Sequence, residues 1–286
     1  MSNASKKFKI TVSIILAFAM IWMALIGIAF FYHAHAEKIR REGQNYGIYV
    51  CGTSVQYKNA ADVLGDGTVS YDPGANMLTL TNAALESNGS AVIFSEKDLT
   101  IVLDGENKMI CNDDGSTAGI YASDYMLRKD ISFIGGGSLI IEGNGGGVNS
   151  IGAIVANDIW AYSNLSIDIA DVAEGSSGIE CSNLYLLGEN TISVSIDSTG
   201  GSNGVFVAGN VSMLDNSTLE VSNSIAGTGA RGIECTGSFM ARKGSTVNST
   251  SGEDGFGILC HSVFFDYGAN VNTEIDAIDG IRYETN

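Results

Sequence analysis

From about residue 90 onward, short runs of alternating apolar and polar residues are separated by Gly, Asn, Ser and Asp. A period of two predicts strands, because an amphipathic helix would repeat its apolar positions every 3.6 residues. A glycine followed by an aliphatic residue recurs at Gly119-Ile120, Gly178-Ile179, Gly204-Val205, Gly232-Ile233, Gly257-Ile258 and Gly280-Ile281. Gly152-Ala153-Ile154 is a looser copy, and Ala91-Val92 opens the series. From Gly119 the spacings are 33, 26, 26, 28, 25 and 23 residues, the mark of a repeat architecture. A second alternating pair follows in each unit, at Ile131/Phe133, Ile159/Ala161, Leu184/Leu186, Val211/Met213, Phe239/Ala241 and Val263/Phe265. A third follows at Leu139/Ile141, Leu165/Ile167, Ile192/Val194 and Leu219/Val221, and more weakly at Val247/Ser249 and Val271/Thr273. Three strands per unit predict an all-β chain whose residues 91–286 form a right-handed parallel β-helix. Its coils stack about 4.8 Å apart, and inward side chains pile on their equivalents. A β-sandwich would not explain the recurrent Gly-Ile step.

Residues 46–90 predict an N-terminal β-hairpin cap, which covers a strand edge that would otherwise invite aggregation. One hairpin centres on Cys51-Gly52-Thr53, and a turn falls near Asn59–Leu64. A second hairpin has flanks Thr68–Tyr71 and Met77–Thr81 around Asp72-Pro73-Gly74-Ala75-Asn76, where proline and glycine supply the turn dihedrals. Upstream, the run from Ile10 to Tyr32 carries no charge over 23 residues, long enough for one transmembrane helix. Lys6, Lys7 and Lys9 precede it and favour a cytoplasmic tail over residues 1–9. The chain then reads as a single-pass protein of the cell membrane, with a tether over 33–45 and an extracellular C-terminal domain. The alternative is a secreted chain cleaved after Ala36, since Ala34-His35-Ala36 fits a signal-peptidase site.

Formal charge sharpens the picture. Of 15 basic and 32 acidic residues, three basic and no acidic ones fall in residues 1–36, so the remainder carries −20. That excludes nucleic acid as a partner. The cysteines Cys51, Cys111, Cys181, Cys235 and Cys260 show no CxxC spacing, and neither a metal nor another cofactor is expected. Cys181, Val207, Cys235 and Cys260 fall in one inward column and read as core fillers.

No catalytic set emerges. Asp113-Asp114, His261 and Arg282 resemble polygalacturonase residues only superficially, since 147 positions separate Asp114 from His261. Glu180 and Glu234 face outward two coils apart, with backbones about 9.6 Å from one another and Phe206 between them. The outward side of the second strand is more suggestive. Trp160, Tyr162, Tyr185, Leu187, Met240 and Phe264, with Leu214, form an apolar stripe suited to a glycan or another surface protein. A loop from the insertion at 123–130 could instead cover that stripe, and Tyr121 and Tyr125 could extend it.

Tyr46-Gly-Ile-Tyr-Val-Cys-Gly-Thr-Ser-Val55, Ala61-Asp-Val-Leu-Gly-Asp-Gly-Thr-Val-Ser-Tyr-Asp-Pro73 and Met77-Leu-Thr-Leu-Thr-Asn-Ala83 resemble the opening of a module common in bacterial surface proteins. The likeness continues through Leu99-Thr-Ile-Val-Leu-Asp-Gly-Glu-Asn107 and Gly136-Gly-Ser-Leu-Ile-Ile141, covering residues 46–142. Such modules are labelled carbohydrate-binding, so the resemblance implies extracellular glycan contact and brings no catalytic motif. The resulting expectation is a non-enzymatic, membrane-tethered β-solenoid that binds carbohydrate or mediates adhesion. The alternatives are a polysaccharide lyase or glycoside hydrolase of the β-helix type, and a structural spacer or assembly unit.

Overall fold

The computed structural model describes residues 20, 22–23, 25–35, 43–87, 91–111, 118–124, 126–144, 152–172, 175–198, 201–224, 230–251, 256–273, 275–277 and 281–283. They divide into two units. Residues 1–44 and 56–58 make the first, and residues 45–55 and 59–286 make the second.

The second unit is a parallel β-solenoid in which each coil contributes to three strand stacks. The first stack runs through Ile93–Ser95, Ile120–Ala122, Gly152–Val155, Ser177–Cys181, Asn203–Val207 and onward to Ile275–Ala277. The second runs through Leu99–Asp104, Ile131–Ile134, Asp158–Ala161, Asn183–Leu186, Val211–Met213 and onward to Ile281–Tyr283. Two long strands, Arg231–Ala241 and Phe256–Phe265, serve both stacks by turning the corner at an irregularity between Cys235 and Ser238. The third stack is an eight-stranded sheet from Ala84–Ser87 to Asn270–Asn272. Its inward column Leu139, Leu165, Ile192, Leu219, Val247, Val271 is in register, as the alternating pairs predict. The three inward faces meet in one apolar core that extends from Ile48 to Phe265.

The glycine of the Gly-Ile step has a steric cause. A β-carbon on Gly178 would come 2.4 Å from Val194 Cγ1 and 2.7 Å from the Gly204 carbonyl oxygen in the next coil. At this point the start of the first-stack strand passes against the third stack, and only a hydrogen fits.

Both ends of the repeat series differ from the sequence reading. Ile93 pairs with Ile120, so the series opens at Val92-Ile93, one residue later than Ala91-Val92. Ile281 pairs with Val263 in the second stack, and Ile275 takes the first-stack place expected of Gly280-Ile281. The cause is that the last coil reaches its first strand early, after a short third strand at Asn270–Asn272.

At the N-terminal end, Asn45–Val50 pairs antiparallel with Ile93–Ser95 and also pairs with Thr53–Gln56. Cys51 and Gly52 between them both take positive φ, 48° and 75°, the tight-turn geometry that matches strand twist. Val69–Asp72 pairs antiparallel with Met77–Thr81, which then lies parallel on Leu99–Asp104. In that second turn the left-handed position falls on Asn76 (φ 55°) and not on glycine. The Asp72 carboxylate supplies the rest by accepting from the Gly74 N–H at 2.8 Å. Ala84–Ser87, in the stretch read as cap, already forms a rung of the third stack against Glu106–Cys111.

In the first unit, helical residues fall between Met20 and His35, past the expected end at residue 32. Their large apolar side chains from Met20 to Tyr32 are exposed. Residues 10–19 of the expected membrane helix lie outside the described residues. Among those described, no helix is long and apolar enough to cross a membrane.

Candidate functional site

The stripe residues of the second stack share one outward face in two adjacent columns. Trp160, Tyr185, Ser212, Met240 and Phe264 follow one another in register, with Ser212 interrupting the apolar series. Beside them, ladder hydrogen bonds from the Tyr162, Leu187, Leu214 and Arg242 N–H groups place those residues on successive rungs. Tyr162 is 51% exposed, and the other apolar members are half-buried. Trp160 and Tyr185 stack on each other at 5.3 Å with 9° between planes, so each ring already occupies one face of its neighbour. Arg242 lies over the Phe264 ring at 5.5 Å. The insertion that could have covered the stripe is held beside the first stack. Arg128 donates to the Glu180 carboxylate, and Lys129 pairs with Asp124 at 2.5 Å. Met126 and Leu127 in that loop remain exposed, and Tyr125 lies outside the described residues.

A second outward ladder runs along the first stack, and of the three rings at its N-terminal end the sequence singles out only Tyr121, as an extension of the second-stack stripe that the structure places on the first stack instead. Tyr49, Phe94 and Tyr121 occupy consecutive rungs, Tyr49 through the antiparallel pairing of the first hairpin. Phe94 and Tyr121 stack at 6.0 Å with 13° between planes, whereas Tyr49 and Phe94 stand 5.9 Å apart and tilted by 49°. Together the rings line a cavity of about 660 Å³, with Gly52, Ala91, Glu96, Ser123 and Asp124 around them. The Asn45 side-chain amide donates to the Tyr49 hydroxyl at 3.1 Å and steadies that ring.

Charge at this shelf is negative. Lys129 beside Asp124, together with the Met126 and Leu127 backbone N–H groups, holds the Asp124 carboxyl down at about 2. Glu96 is exposed and has no ion-pair partner among the described residues. The next rungs carry Val155 and then Glu180, where the Arg128 guanidinium closes the ladder.

Glu180, Phe206 and Glu234 lie in consecutive rungs as the repeat predicts. Both carboxylates are engaged, Glu180 by Arg128 and Glu234 by Arg231 at 2.5 Å. With their oxygens occupied by guanidinium groups, neither carboxylate is free to meet a glycosidic bond. His261 is exposed on the first stack, while Asp113 and Asp114 lie outside the described residues.

Cys181, Val207, Cys235 and Cys260 form the inward column foreseen from the spacing. All five cysteines are free thiols. Burial pushes the Cys181 thiol well up, the neighbouring Cys260 and burial do the same for Cys235, and burial raises Cys111 to about 11. No cluster of three or more metal-ligating side chains occurs among the described residues.

Fold and surface together define a parallel β-solenoid with two apolar outward ladders, one of them hollowed into a cavity. No family model, curated protein or solved structure matches the chain.

Proposed function

We propose that the chain is a membrane-tethered, extracellular, right-handed β-solenoid that binds carbohydrate without modifying it, and that the Tyr49–Phe94–Tyr121 shelf makes the contact. The observation that carries this reading is the shelf itself. Three aromatic rings line a cavity of about 660 Å³, with Glu96, Ser123 and Asp124 in reach as orienting polar groups. That volume lies within the roughly 300–1,000 Å³ of small-ligand sites, and few convergent polar groups on an apolar floor is their usual chemistry. Every lining residue falls inside residues 46–142, the stretch that resembles the carbohydrate-binding surface modules. The handedness follows the strong preference of parallel crossovers. Membrane attachment rests on the uncharged run over 10–32 and on the exposed apolar side chains of its helical part. Paired guanidinium groups at Glu180 and Glu234 argue against the hydrolase alternative.

Adhesion to another protein through the Trp160 stripe is the second reading. It is favoured by the Trp160–Tyr185 stack, which spends ring faces that a sugar would need.

The test is a glycan array probed with the full chain in detergent micelles. Phe94→Ala combined with Tyr121→Ala should weaken retained glycans about tenfold or more, the worth of two lost ring contacts. Trp160→Ala combined with Tyr185→Ala should leave them bound. An array on which the wild-type chain retains nothing sinks the carbohydrate reading, and the reverse pattern of variants moves the site to the stripe.

A further inference from the structure

The shelf is acidic as well as aromatic, and that combination narrows the ligand. Its lining includes two carboxylates, Glu96 and Asp124, and no basic side chain. Lys129 shares the Asp124 charge at 2.5 Å, and Arg128 is committed to Glu180. That leaves Glu96, which has no ion-pair partner among the described residues, bordering the same cavity as the Tyr49 and Phe94 rings. Its Oε2 would sit 2.8 Å from a β-carbon placed on Gly47, so the carboxylate is packed against the same hairpin that supplies Tyr49. Aromatic faces carry negative potential and attract cations, and Tyr49 and Phe94, tilted by 49° to one another, both line the cavity. Residues 37–286 carry −20 in all, which repels acidic polysaccharides before contact.

We propose that the shelf selects carbohydrate bearing free amines, with a protonated amino group seated in the cavity against the Tyr49 and Phe94 rings and paired to Glu96. This rests on the carbohydrate reading and adds the charge of the sugar. The inference commits to a glucosamine-type oligomer, because the rings offer a surface for the apolar face of a pyranose while the carboxylate fixes one ammonium.

The experiment titrates the full chain in detergent micelles with three probes of equal length: glucosamine oligomers, N-acetylglucosamine oligomers and galacturonic acid oligomers. Glucosamine oligomers should bind about tenfold tighter than their acetylated counterparts, a difference of the size of one desolvated cation–π and charge contact. The preference should shrink as salt is raised, and it should vanish as pH rises until the ligand amine is neutral. Glu96→Gln, which keeps shape and removes charge, should abolish the preference without weakening the acetylated oligomer. Lys108→Ala, on the far third stack, should change neither. Equal binding of the first two probes, or tighter binding of the acetylated or acidic one, overturns the amine assignment and leaves the carbohydrate reading standing. Binding of none of them overturns the amine assignment, and the glycan array then decides the carbohydrate reading. A short lysine-rich peptide that competes as well as the glucosamine oligomer would make the shelf a general cation sink and overturn the sugar assignment.

Discussion

A β-carbon on Gly204 would lie 2.2 Å from Val221 Cγ1 and 2.8 Å from the Gly232 carbonyl oxygen. The same collision recurs at Gly178, one coil earlier, so the constraint belongs to the coil and not to one local turn. At the same column Ala153 is accommodated and buried, which shows that one coil has relaxed enough for a methyl group. Gly204→Val should therefore lower stability by about 1–3 kcal/mol, the usual cost of forcing atoms into a packed interior. Gly136→Ala is the control, since a β-carbon there meets nothing within 4 Å. Urea unfolding of the two variants decides the matter. Equal midpoints would mean that the corner has slack the static packing does not show.

At the scale of elements, the two N-terminal hairpins are clasped to the first coil by one lysine. Lys97 Nζ donates to the Tyr71 hydroxyl at 2.8 Å and lies 5.5 Å from the Tyr46 ring and 5.2 Å from the Tyr71 ring. Burial lowers its pKa, so the ammonium is held there against a desolvation cost that the rings offset. Lys97→Met keeps much of the stem and removes the charge. It should cost about 1 kcal/mol and speed proteolysis within the 57–67 turn region. A Lys97→Met chain as resistant as wild type would mean that stem packing alone holds the hairpins. The elements themselves were largely legible. Pairs such as Leu184/Leu186 and Leu165/Ile167 announce themselves because one face of each strand is buried and the other is not. Gly-Ile is legible because the corner rejects a side chain. The opening marker is displaced because Val92 takes the glycine place there, and Gly280 lies outside the described residues. For the shelf, Tyr121 could be placed by register, and Phe94 would have joined it had Ile93 been taken as the opening marker. Tyr49 reaches the same ladder through an antiparallel pairing across more than forty residues, and such a pairing leaves no period in the sequence.

At the scale of the whole solenoid, the core changes character along its axis. One inward column of the third stack reads Leu85, Met109, Ile141, Ile167, Val194, Val221 and then Ser249. Another ends at the buried Asn223, whose amide donates to the Ser202 and Arg231 carbonyl oxygens at 2.7 and 2.9 Å. Ser249 Oγ likewise donates to the Gly257 carbonyl oxygen at 2.6 Å. These bonds satisfy the Asn223 amide N–H groups and the Ser249 hydroxyl but leave Asn223 Oδ1 buried without a partner, and a buried hydrogen bond returns about 1 kcal/mol where a buried Val or Leu returns about 1.5–3. Because each coil is stabilised mainly by its neighbours, such a deficit is felt locally and not spread over the stack. The other end is closed by an antiparallel strand and a hairpin that bring their own apolar residues, Ile48, Val50, Val69 and Leu78, into the core. Amide hydrogen exchange on the full chain should therefore be graded. Protection should be highest in Leu99–Asp104, Ile131–Ile134 and Asp158–Ala161, and it should fall by an order of magnitude or more through Thr246–Thr250 and Asn270–Asn272. Uniform protection across all of these strands would show that the coils open together, so that stability is shared along the axis in spite of the polar interior.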